Sequence, residues 1–294
     1  EQSLNVLIPM GGKDDAFVNA GYKAPKPLIR VAGRPMICHI IDNLKLRLGD
    51  VVWLVTPQHV YKECEVELER IRASVACAAV RIVTFAMQTR GAVETLYIGL
   101  QHMTPAELSR KTICLDANNI YFSDVLGEFR RVPRGLGSCF YFVDDCPSAL
   151  FSYIALDDES RFVRDVAEKV AISEYANVGA YGFASAAALR LFAQETRDSP
   201  RQVTMKFHRS KLISEMLRKG HSFTALEADN VTMCGTPYGL EAFVARVSRG
   251  KALQTVKRRF CFGLDDVLVS APRVAGDYST VVPIQTNVEL VREL

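Results

Sequence analysis

Four short strand-like runs, at residues 6–9, 51–56, 80–85 and 112–115, most of them apolar, alternate with stretches at about 35–46, 58–75 and 92–103 whose apolar residues recur at helical spacing. Strands that are apolar throughout need cover on both faces, and intervening helices provide it in a parallel sheet. The order therefore predicts a Rossmann-like, mostly parallel α/β sheet with ligands at the carboxyl ends of its strands. After Asp124 the rhythm changes, and 138–143, 152–156 and 178–183 read as strands separated by turns. They predict an antiparallel extension carrying a substrate pocket.

The first predicted strand runs into Pro9, Met10 and a Gly11-Gly12 pair, which lets backbone come close to a ligand. Further on, Pro25-Lys26-Pro27 holds a cation between two prolines, predicting a stiff, extended segment. Val31, Gly33, Arg34, Pro35 and Met36 continue the pattern. This stretch resembles the opening of the sugar-phosphate nucleotidyltransferases, where a G-x-G-[ST]-R loop precedes x-P-K-P-h-h. The resemblance implies a sheet of the nucleotide-diphospho-sugar transferase (GT-A-like) type. It also implies a reaction of sugar phosphate with nucleoside triphosphate, giving nucleotide-sugar and pyrophosphate with the help of Mg²⁺.

Further segments carry the resemblance, and with it the implied roles. Lys26 would meet the phosphates. Gln88, Gly91 and Ala92 lie in a QTRGA segment that opens a helix, and would read the base beside Pro9, Met10, Gly11 and Gly12. Asp116 sits past a strand where the family carries D-x-D, and would join the nucleotide-binding set. Glu168-Lys169 matches the E-K segment, and ANVGAYGF, with Asn177 and Gly179, matches the N-x-G segment. Glu168, Asn177 and Gly179 would hold the sugar, and Lys169 would act with Lys26 on the phosphates. Asn118 and Asp229 would be the oxygen donors for the metal, although an amide holds a hard cation more weakly than a carboxylate. Asp116 and Asp229 also read as plain strand-end carboxylates.

The phosphate loop departs from the family pattern. Its second glycine is Asp14, its Ser/Thr is Asp15 and its arginine is Ala16. Two carboxylates then face the place of a polyanion, where one like-charge pair at roughly 4 Å costs about 1 kcal/mol in water and several times more in a dry site. With Asn118, these changes favour a second expectation, a pseudoenzyme that binds nucleotide, nucleotide-sugar or a partner subunit without turnover.

A boundary is expected near Gly250, dividing residues 1–250 from 251–294. The RFCFGLDDVLVSAP segment resembles the first motif of haloacid-dehalogenase-type phosphatases, with Asp265 as the second aspartate but Gly263 in place of the nucleophilic first. Glycine offers no oxygen to phosphorus, so no phosphatase activity is expected. The tail from Arg259 is too short for a whole domain of that kind.

A net charge of +3 over 294 residues gives no electrostatic case for nucleic acid, and Lys257-Arg258-Arg259 reads as a solvated helix end. Eight cysteines show no C-x-x-C pair, and Cys38, Cys114, Cys234 and Cys261 lie in apolar runs. With no signal peptide and no long apolar span, a cytoplasmic protein free of membrane is expected. A homo-oligomer is left open. The five histidines form no triad pattern, so hydrolysis by a nucleophilic side chain is not expected.

Overall fold

The structure is a computed structural model that describes residues 3–12, 15–146, 148–157, 161–198, 208–248, 268–270, 279 and 281–288. Asp14, Gly250, the 257–259 basic cluster, Cys261, Gly263 and Asp265 lie outside these. The chain divides into two compact units, residues 1–254 and 255–294.

In the first unit the elements run β1 (Asn5–Pro9), α1 (Asp15–Asn19), β2 (Arg30–Val31), β3 (Arg34–Pro35), α2 (Met36–Asn43), β4 (Val51–Pro57), α3 (Gln58–Ser74), β5 (Ala79–Phe85) and α4 (Ala92–Gln101). There follow α5 (Pro105–Leu108), β6 (Thr112–Leu115), β7 (Asn119–Tyr121), α6 (Val125–Arg131), β8 (Gly137–Val143), β9 (Ser152–Leu156), β10 (Val163–Glu168) and β11 (Tyr175–Phe183). The last are α7 (Ala186–Asp198), α8 (Arg209–Arg218), β12 (Phe223–Glu227), β13 (Val231–Met233) and α9 (Pro237–Ser248).

Among the described residues, nine strands form one sheet, with the path β10-β9-β11-β6-β1-β4-β5 and with β8 joining β11 to β12. The central β6, β1, β4 and β5 are parallel, whereas β11 pairs antiparallel with β6, β8 and β9. The α/β expectation therefore holds, with a mostly parallel central sheet and an antiparallel extension.

Side-chain alternation explains why the helices must cover both faces. Val6, Ile8, Val52 and Leu54 enter one core cluster with α2, α3, α6 and α9, while Leu7, Trp53 and Val55 enter another with α4, α7 and α8. Order along the sheet reverses beside β1: β4 and β5 extend to one side, and β6 lies on the other. The loops after β1 and β6 thus leave a switch point side by side.

A buried polar network ties down the opposite end. Asp50, 1% exposed, accepts hydrogen bonds from Leu4 N (2.9 Å) and Arg47 N (2.8 Å) and pairs with Arg130 (2.5 Å). The Lys111 ammonium donates to Phe129 O (2.6 Å) and Val132 O (2.7 Å), satisfying carbonyls at the end of α6.

In the second unit, Val269 bridges to Pro283, Ser270 N donates to Val282 O (2.8 Å), and residues 285–288 form a helical turn. No helix among the described residues is long and apolar enough to cross a membrane.

The buried thiols make stability depend on pH. Burial pushes Cys114 and Cys234 up to about 12, and Cys139 above its ordinary value of 9.0. Below pH 9.0 these thiols are protonated in both states; above it the unfolded chain loses protons that the folded chain keeps. Each thiol then removes about 1.4 kcal/mol of stability per pH unit. Lys111, pushed down to about 8 by burial and then by Arg130, opposes one of them until the unfolded lysine titrates at its ordinary 10.5. The expected result is a net loss of stability as the pH rises above 9. Urea denaturation from pH 7.5 to 10.5 checks it, and a flat profile would contradict it.

Candidate functional site

Two loops meet at the carboxyl ends of β1 and β5. Met10 N donates to Val55 O (2.8 Å), carrying the chain off β1 into Gly11. A Cβ at Gly11 would lie 2.9 Å from Phe85 Cζ and 3.3 Å from Thr95 Oγ1, so glycine is what lets the loop pass. Thr95 also meets Thr89 Oγ1 at 2.9 Å, and its N donates to Gly91 O (3.3 Å). The structure therefore joins Met10 and Gly11 to the 88–92 turn, on which Gln88 is exposed.

Arg90 is held by Glu94 through its backbone N (2.7 Å) and Nη2 (2.8 Å). Burial raises the Glu94 carboxyl, but these Arg90 bonds outweigh it and leave the group below its ordinary value. Asp15 opens the short α1, exposed, where a carboxylate suits free helix amides.

Lys26 does not lie in an extended segment. It opens a 3₁₀ turn, Lys26–Leu28, closed by Leu28 N to Pro25 O (2.8 Å) and Ile29 N to Lys26 O (3.3 Å). Proline tolerates a first helical turn because that position needs no N–H. The turn leaves Lys26 half-buried, its Nζ 5.6 Å from the Phe17 ring centroid.

A second cluster forms after β6. The β11–β8 ladder shifts register between Asn177 and Tyr181, and Gly179 there takes φ +76°. Such bulges bend a strand and re-aim its neighbours. Asp116 N donates to Gly179 O (3.0 Å), and Asn177 Oδ1 accepts from Gly179 N (2.7 Å). Tyr121 Oη donates to Gly179 O (3.2 Å) and accepts from Asp116 N (3.2 Å).

The Asp116 carboxylate is paired with Arg209, the first residue of α8. Arg209 is 11% exposed, and its guanidinium lies 5.2 Å from the Tyr181 ring centroid. Burial alone would lower its pKa, but Asp116 and Tyr181 hold it above the ordinary guanidinium value. The next residue, Ser210, donates to Glu168 Oε2 (2.9 Å), which also accepts from Ser152 (2.5 Å). His208 Nδ1 lies 3.5 Å from the other Glu168 oxygen. Lys169 follows with φ +54°, its side chain exposed and its N bonded to Phe151 O (2.8 Å). Asp116, Asn177, Gly179 and Glu168 are thus linked through Arg209 and Ser210.

Residues 6–231 match the family model described as nucleotidyl transferase. The chain belongs to that family. No sequence among curated proteins matches it significantly. Solved structures with the same fold include a nucleoside-diphosphate-sugar pyrophosphorylase from Vibrio cholerae, at TM-score 0.69 and 18% identity, over 82% of this chain and 99% of that one. An inositol-1-phosphate CTP transferase from T. maritima gives TM-score 0.67 at 10% identity, over 88% and 99%. A UDP-glucose pyrophosphorylase, solved with UDP-glucose, gives 0.65 at 14% identity, over 84% and 99%.

The expected metal donors do not converge. Asn118 packs against Gly235, its carbonyl accepting from Cys234 N (2.9 Å), whereas exposed Asp229 lies beside Ser123 Oγ (3.4 Å). Pairing of β13 with β7 sets Met233 opposite Asn119 and Val231 opposite Tyr121. Asn118 and Asp229 therefore stand at opposite ends of this ribbon, more than about 10 Å apart at about 3.3 Å per residue. Asp116 is committed to Arg209, and no group of three or more His, Cys, Asp or Glu side chains suited to a metal occurs among the described residues. This donor set does not fit a resident divalent ion.

A cavity of about 630 Å³ lined by Phe162, Asp165, Ser214, Arg218 and His221 lies toward the other ends of β10 and α8. It contains none of the residues of the two clusters. Arg209 carries no sequence signal, because HRSKL matches no motif and its partner Asp116 is far away in the chain.

Proposed function

We propose that the chain is a sugar-1-phosphate nucleotidyltransferase. A phosphate oxygen of the sugar phosphate attacks the α-phosphorus of a nucleoside triphosphate; the new P–O bond forms as the bond to pyrophosphate breaks. Catalysis of this kind rests on in-line positioning and on donors aimed at the shifting charge. The Gly11-Gly12 amides and the QTRGA turn would hold the nucleotide, with Lys26 and Lys169 offsetting phosphate charge. Glu168, Asn177 and Gly179 would hold the sugar, with Asp116 on the nucleotide side. The observation that carries this reading is the assembly around the Gly179 bulge, next to the β1 loop at the switch point of the sheet.

A second reading, binding of nucleotide-sugar without turnover, is favoured by one observation: the Asp116 carboxylate is held by Arg209, while Asn118 and Asp229 stand at opposite ends of the β7–β13 ribbon. Ala16 in place of the loop arginine agrees with it. In either reading residues 1–250 carry the function, and no phosphatase step belongs to it, since Gly263 offers no oxygen to phosphorus.

Pyrophosphate release decides between the readings. The five common nucleoside triphosphates are each paired with glucose, mannose and galactose 1-phosphates in Mg²⁺ buffer. Transfer predicts release with at least one pair, reduced at least tenfold in Lys26→Ala. No release with any pair, together with saturable binding of UDP-glucose, would establish the second reading. Neither release nor binding would overturn both.

A further inference from the structure

Two buried donors around the Gly179 bulge have no acceptor among the described residues: Arg209 Nη1 and Asn177 Nδ2. Asn177 is 5% exposed, so its amide cannot turn to bulk water, and its Oδ1 is fixed by Gly179 N. Arg209 is fixed too, with Nη2 on Asp116 and the guanidinium over Tyr181. Buried donors without acceptors are rare and costly, and a ligand rich in oxygen atoms removes the cost. A guanidinium offers five N–H groups in a planar fork, so an arginine held by one carboxylate still presents donors to a phosphate.

We propose that Arg209 is the resident cation of this site. Its guanidinium neutralises the Asp116 carboxylate, and it binds the phosphate of a phosphorylated sugar without metal. Asn177 Nδ2 supplies a second donor across the bulge. The non-converging Asn118 and Asp229 follow from the same arrangement: a chain whose site cation is covalently attached has no use for a cage of oxygen donors. The inference rests on the reading that the ligand is a sugar phosphate or nucleotide-sugar.

Calorimetric titration of the full chain with glucose 1-phosphate and with UDP-glucose, in EDTA and in Mg²⁺, tests it. Wild-type affinity should differ less than twofold between the two buffers. Arg209→Gln should weaken binding at least tenfold, and Arg209→Lys should recover part of it, since it keeps the charge but loses the fork. A purely structural arginine would show no such graded recovery at equal thermal stability. The wild-type comparison needs no variant, so it stands even if Arg209→Gln fails to fold. Binding that requires Mg²⁺, or unchanged affinity in folded Arg209→Gln, would overturn the resident-cation role while leaving the sugar-phosphate reading intact. Failure of both probes to bind wild type in either buffer would overturn both.

Discussion

Asp50→Ala is expected to destabilise the fold by about 3–5 kcal/mol, the range for removing one partner of a buried ion pair. The carboxylate serves Leu4 N, Arg47 N and Arg130 at once, and it is 1% exposed. Its loss leaves the Arg130 guanidinium, itself largely buried, without that countercharge, and strips two amides of their acceptor. Urea denaturation measures the effect. Replacing both partners, Asp50→Leu with Arg130→Met, should recover a large part of the loss because no stranded charge remains. A single-variant loss under about 1 kcal/mol would show that this network does not hold β1, β4 and α6 together.

Gly179→Ala is expected to cost about 2–5 kcal/mol and to abolish ligand binding. Its φ of +76° is a left-handed conformation that costs a side-chain-bearing residue about 1–2 kcal/mol. The added Cβ would also run into Asp116 Oδ2 and come within 2.8 Å of Asn119 Nδ2, an overpacking worth about 1–3 kcal/mol more. Asp116 belongs to the candidate site, so relief of the clash displaces the Asp116–Arg209 pair. Thermal unfolding and UDP-glucose titration read the two effects. A variant with wild-type melting temperature and affinity would mean that the bulge does not shape the site.

The parallel half of the fold was legible because three of its four strands are nearly continuous apolar runs. Asn5–Pro9, Val51–Pro57 and Thr112–Leu115 lie in the sheet interior, buried on both faces. β10 escaped notice because Arg164 and Asp165 interrupt its apolar pattern at positions that face solvent. Helices α7 and α8 went unread as well, although both bury one face in the second core cluster. Within the site, local glycine and proline signals were readable, but the Pro25-Lys26-Pro27 conformation was not: a 3₁₀ turn accepts both prolines as readily as an extended segment does. Arg209 could not be read at all. Its role comes from a contact with a residue 93 positions away, which no local pattern records. Separation of Asn118 from Asp229 likewise follows from the register of β13 on β7, a tertiary property.

A crystal structure of the chain grown with UDP-glucose tests the central claim most directly. The account predicts the ligand at the carboxyl ends of β1 and β6. Its diphosphate should lie over Gly11 and Gly12, with a phosphate oxygen within hydrogen-bond distance of Arg209 Nη1 and the glucosyl group beside Asn177 and Glu168. Density for the ligand in the cleft between Phe162 and His221, with the Gly179 region untouched, would contradict it.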